Sequence, residues 1–209
     1  MKNILYLLFF CLIACNEPAQ NNSIKKDSVY AGLIKMYKPL DFDTLKVSPA
    51  ENADSIGYKF KGEKIDANRL KLLPIDISDD DSNGLFAVYQ FKIDNHRTGL
   101  ITRIPSQYSS SSITLFIYDT ITDCITDHFE LADTFGDEGW SFVKNGYIFK
   151  DRNGRFKYLI LKVDKNQDPD SPNKAAIITG TCTLIGLDKV KHDTISKNAE
   201  PYLAKFTKF

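Results

Sequence analysis

Ile113-Thr114-Leu115-Phe116-Ile117-Tyr118 is followed by the polar stretch Asp119-Thr120-Ile121-Thr122-Asp123 and then by Cys124-Ile125-Thr126-Asp127-His128-Phe129-Glu130-Leu131. The first run is rich in β-branched and aromatic side chains, a composition that suits a pleated strand. The second is a turn. In the third, His128 alternates with Thr126 and Glu130, as a solvated strand face does. Together they predict an antiparallel hairpin, and so a β fold.

The same pattern extends in both directions. Toward the C-terminus, residues 140–144 and 147–150 read as strands joined by Asn145-Gly146, the pair that type I′ hairpins prefer. A turn at 151–154 leads into 156–163, the most apolar strand, and 175–187 follows an acidic loop at 164–173. Toward the N-terminus, 85–93 and 100–104 read as strands around a turn at 95–99. Residues 56–61 alternate with Ile56, Tyr58 and Phe60 on one face, and 42–47 alternate loosely. Two short helices are expected: 28–37, with Val29, Leu33, Met36 and Tyr37 at helical spacing, and 66–73. Asp66 can cap the second, Pro74 stops it, and Leu70 and Leu73 would face the core. No βαβ alternation appears and no glycine-rich phosphate motif follows a strand. The prediction is a mainly β domain, an antiparallel meander forming a sandwich or partly closed barrel, with one or two short N-terminal helices. An alternative is a partial propeller, because 113–131 looks somewhat like the outer hairpin of a blade and 151–161 like a worn calcium-loop blade repeat.

The N-terminus carries a different signal. One basic residue, Lys2, precedes an unbroken apolar run from Ile4 to Cys15, closed by Leu12-Ile13-Ala14-Cys15. Twelve residues are too few for a membrane-crossing helix, which takes about 18–20. The segment resembles a bacterial lipoprotein signal peptide, with residues 12–15 as its lipobox. The resemblance implies cleavage after residue 14 and lipid, such as palmitate, on Cys15. It also implies a place in the cell envelope, in the periplasm or on an outer-membrane surface, with the leaflet left open. Asn16 in place of Asp favours the outer membrane by the same analogy. Residues 15–27 are polar and read as a lipidated flexible tether, leaving 28–209 as a single β-rich domain.

Charge narrows the partners. The whole chain has 27 basic and 27 acidic side chains; without the first fourteen residues, which include Lys2, it carries one net negative charge. Nucleic-acid binders show a basic excess or stripe, and none is present. Cys124 and Cys182 remain as thiols that an exported compartment would allow to bridge, although their strand phases differ and two independent thiols explain them as well.

Three stretches could carry chemistry. Asp164, Asn166, Asp168 and Asp170 alternate as calcium ligands do in the first half of an EF-hand loop. Yet Pro169 stands at the glycine position and Ala175 at the bidentate glutamate, so a solvated hairpin loop accounts for them more simply. No other cofactor is implied. Phe135-Gly136-Asp137-Glu138-Gly139-Trp140 joins two carboxylates to the only tryptophan, a pairing found in glycan sites. Neighbours on an extended chain point to opposite sides, so a turn with Trp140 entering the core is the expected outcome. Arg103, with Ser106, Tyr108 and the serines that follow, could hold a small anion or a saccharide, or could simply be a loop. His96, His128 and His192 lack zinc-ligand spacing. The leading expectation is a membrane-anchored envelope lipoprotein with a non-catalytic binding role toward an envelope protein or glycan. The alternative is an envelope glycan hydrolase using Asp137 or Glu138.

Overall fold

A computed structural model describes residues 28–49, 57–75, 84–105, 111–137, 139–166 and 177–187. The residues expected to form the leader and the tether, Cys15 among them, together with Glu138, Asp168, Asp170, His192 and residues 106–110, lie outside the described residues.

The chain begins with α1 (Ala31–Ile34), β1 (Lys38–Pro39), β2 (Thr44–Val47), β3 (Glu63–Lys64) and α2 (Ala67–Leu70). Long strands follow: β4 (Phe86–Lys92), β5 (Arg97–Pro105), β6 (Ser111–Asp119), β7 (Cys124–Asp137), β8 (Trp140–Lys150), β9 (Phe156–Asn166) and β10 (Ile177–Gly186). From β4 to β10 each strand pairs antiparallel with the next, the expected meander. All ten strands belong to one sheet that does not close into a barrel but folds over itself as a sandwich-like β domain. The two blade-like hairpins are parts of this one continuous sheet, not separate blades.

The hairpin β6–β7 explains why the sheet folds over. Odd positions of β6, Ile113, Leu115 and Ile117, join Val88, Phe91 and Ile101 in a core closed from the other side by Val47, Ile148, Phe156 and Tyr158. Even positions, Phe116 and Tyr118, join Leu100 and Ala87 under Leu33, Ile34, Tyr37, Ile65 and Leu73. The first half of the sheet is therefore covered on both faces, by the second half and by the N-terminal helical segment. A run of six apolar and β-branched residues meets that demand, and each large side chain buried there contributes about 1.5–3 kcal/mol.

β7 serves both halves. Its residues through Ala132 pair with β6, and Asp133 to Asp137 pair with β8. At the crossing the chains nearly touch: a Cβ on Gly146 would lie 2.6 Å from the Leu131 carbonyl oxygen. This corrects the turn expected at Asn145-Gly146. Both residues lie mid-strand in β8, and the glycine answers to a distant neighbour, not to a local φ.

Other expectations also change. β1 pairs with β4 in parallel, because β2 leaves for the far half of the sheet, where it pairs with β8. Residues 57–61 form no strand. Their aromatic side chains still reach the core, Phe60 fully, but their carbonyls meet side chains instead of a ladder. Tyr89 Oη donates to Lys59 O at 2.9 Å and Arg103 Nε to Lys61 O at 3.1 Å. The first helix has a single turn, whose end is satisfied by Gln90 Nε2 donating to Ile34 O and Tyr37 O. Asp66 caps α2 as expected, accepting from the N–H groups of Asn68 and Arg69, and Leu73 is buried.

Candidate functional site: an aromatic face past the end of the core

Directly opposed residues on paired strands share a face. Beyond the crossing, the register sets out three rows across β7, β8 and β9: Asp133, Lys144 and Lys162; then Phe135, Phe142 and Asp164; then Asp137, Trp140 and Asn166. Along β8 these rows continue the face that carries Ile148, but the core cluster stops short of them. Gly139, at φ +93°, makes the tight β7–β8 connection that only glycine adopts without strain.

The three rings pack on one another, with centroids 5.2 Å apart for Phe135 and Trp140, 5.5 Å for Trp140 and Phe142, and 6.1 Å for Phe135 and Phe142. Lys162 Nζ lies 4.6 Å from the Phe142 centroid and 5.8 Å from that of Trp140, and Lys144 Nζ lies 5.8 Å from Phe142. Each ammonium also has a carboxylate: Lys162 pairs with Asp164 at 2.8 Å and Lys144 with Glu130. Burial, reinforced by Glu130, pushes the Asp133 carboxyl above its usual range, against the pull of the Thr134 N–H and Lys144. The Thr134 hydroxyl donates to Phe142 O at 3.0 Å and ties the two strands.

Trp140 is not in the core. It stays 40% exposed, because β8 carries it past the last core row. Asp137 and Asn166, also exposed, stand on its two sides. Such a surface can stack a flat or C–H-rich group on the rings while amide and carboxylate oxygens take its hydrogen bonds.

The remaining expected sites resolve differently. Asp164 and Asn166 belong to β9, not to a loop, and Asp164 is engaged by Lys162. Among the described residues no group of three His, Cys, Asp or Glu side chains is arranged to hold a metal. Arg103 is a buried strut: its guanidinium donates to Lys61 O and to Ser111 Oγ, each at 3.1 Å, and stacks 3.7 Å above the Phe86 ring. Nearby, burial drives the Tyr58 hydroxyl up to about 12 against the field of Arg103. Ser111 and Ser112, expected in a loop, open β6. His128 stacks on Phe116, and His96 lies in the β4–β5 turn. Cys124 is a free, half-buried thiol 3.2 Å from Thr122 Oγ1; Cys182 pairs in register with Leu161, and its side chain lies outside the described residues.

Sequence reasoning named Phe135, Asp137 and Trp140 but not Phe142, Lys144 or Lys162. Their signal was period-two alternation on both sides of Gly139, which places Trp140 and Phe142 on one face with Phe135. No family model, curated protein or solved structure matches this chain.

Proposed function

We propose that this protein is a lipid-anchored envelope domain that binds a ligand without transforming it, through the face made by Phe135, Trp140 and Phe142. The single observation behind the binding role is Trp140, held 40% exposed in a ring cluster on the β8 face that further along carries the core residue Ile148. Exposed aromatic side chains of this kind are where binding energy concentrates. The anchoring role rests on the lipobox-like residues 12–15, and two or more acyl chains would make attachment stable.

Two measurements test the parts separately. Mass spectrometry of the mature N-terminus should find acylated Cys15, and Cys15→Ala should release the chain from the membrane fraction; an unprocessed or unacylated N-terminus would remove the anchor. With Cys15→Ala removing the lipid, the chain should still be retained on isolated, lipid-free envelope material, and Trp140→Ala or Phe142→Ala added to it should abolish that retention with little change in unfolding midpoint. Unchanged retention would remove the binding face.

The glycan-hydrolase alternative draws on Asp137 standing directly across from Trp140. Release of reducing ends by the native chain, lost in Asp137→Asn, would favour it over simple binding.

A further inference from the structure

We infer that the aromatic face takes a neutral oligosaccharide, an assignment that rests on reading this face as the binding site. The argument comes from what frames the rings. Four carboxylates, Glu130, Asp133, Asp137 and Asp164, stand against two ammonium groups, Lys144 and Lys162, on or beside the three rows. Both ammonium groups already have a carboxylate partner, so the face offers an anion no unspent positive charge. Acidic glycans, phosphate groups and anionic lipid surfaces meet net repulsion here.

A purely apolar occupant fits no better. Covering Trp140 would also cover Asp137 and Asn166, which flank it in the same row, and would strip them of water with nothing in return. A neutral sugar meets both requirements. Its C–H face lies against the rings, and its hydroxyls donate to the Asp137 carboxylate and exchange hydrogen bonds with the Asn166 carboxamide, which both donates and accepts. The two polar residues sit two strand spacings apart, about 9–10 Å, with the indole between them. That width suits a chain of linked sugar rings running across the strands.

Trp140 is the only tryptophan in the protein, so its emission reports on this face alone. The experiment titrates the detergent-purified full chain with a panel of neutral oligosaccharides (β-glucan, α-glucan and N-acetylglucosamine oligomers) and with oligogalacturonate as the acidic control. At least one neutral member should shift the emission saturably, with little dependence on salt, and oligogalacturonate should not. Asn166→Ala and Asp137→Ala, which remove rim groups and leave the rings, should each weaken that binding at least about fivefold while the unfolding midpoint holds. Absence of a saturable shift with every neutral member overturns the assignment. So does equal binding of oligogalacturonate, or binding indifferent to both rim substitutions. Envelope retention lost in Trp140→Ala, with no sugar bound, would leave the binding face standing and remove only the saccharide. Retention unchanged in Trp140→Ala and no sugar bound would remove both.

Discussion

Residues 113–118 and residues 135–142 both bring aromatic side chains to long strands, yet their rings have opposite fates. The first is sealed on two faces, with Ile113, Leu115 and Phe116 at 0% exposure. The second keeps one face on the same side as the core but runs past its end, so its rings meet one another and solvent. The presence of aromatic rings alone does not separate them. What separates them is where β7 changes partners, because that crossing is the last point at which one half of the sheet covers the other.

The strongest way to break this contrast is to cut into the sealed region. Phe116→Ala should destabilise the domain by about 3–5 kcal/mol, measured by denaturant unfolding. A much smaller loss would mean that the N-terminal helical segment does not seal that face. Next comes the crossing itself. Gly146→Ala places a methyl group against the Leu131 carbonyl and should cost about 1–3 kcal/mol, enough to lower the midpoint clearly. If Gly146 were a turn residue outside the packing, alanine would be nearly neutral.

Two carboxylates sharpen the comparison through pH. At Asp94, in the β4–β5 turn, burial raises the pKa but is outweighed by the N–H groups of His96 and Arg97 and by the Arg97 guanidinium, so it sits below the usual range. Its contribution is present above the unfolded pKa of about 3.9 and is lost as pH falls through the lower folded value. Asp133, beside the rings, is shifted upward, so its ionised form costs stability at neutral pH. That cost is relieved as pH falls through the raised folded value toward the unfolded one. Asp94→Asn should therefore lower stability at neutral pH and Asp133→Asn should raise it, as read from midpoints across an acid-to-neutral series. The same sign for both would refute the account. The smallest effect belongs to Trp140→Ala, whose half-solvated ring should be worth less than about 1–2 kcal/mol of fold stability. A loss as large as that of Phe116→Ala would make the ring face a second core.

Alternation and capping carried most of the architecture. The strands of the sealed half follow from their composition, and Asp66 marks its helix because a side-chain cap is a local event. The misreadings share one cause. Asn145-Gly146 has the chemistry of a hairpin turn, but Gly146 is required by Leu131, a residue on another strand. Residues 133–139 have the polar, glycine-containing composition of a loop, yet Asp133 to Asp137 continue β7, because strand positions past the core have no need of apolar residues on every inward row. Tyr58 and Phe60 alternate like a strand, yet the carbonyl oxygens of Lys59 and Lys61 beside them are met by Tyr89 and Arg103, which no local window includes. The candidate face was half visible for the same reason. Its rings lie close in sequence, but Asp164, Asn166 and Lys162 join them only through the register of β9.

Ser28, the first described residue, is held by its hydroxyl, which donates to Asp123 Oδ1 and lies 3.3 Å from Tyr118 Oη, while Tyr118 donates to the same carboxylate oxygen at 2.7 Å. Asp123 sits at φ +53° in the β6–β7 turn, so the knot joins the chain's entry to the two central strands. Traction arriving from the preceding chain is thus taken first by a few side-chain hydrogen bonds and only afterwards by the strand ladders. The knot is a mechanical fuse: under such a load it parts before the strands begin to separate.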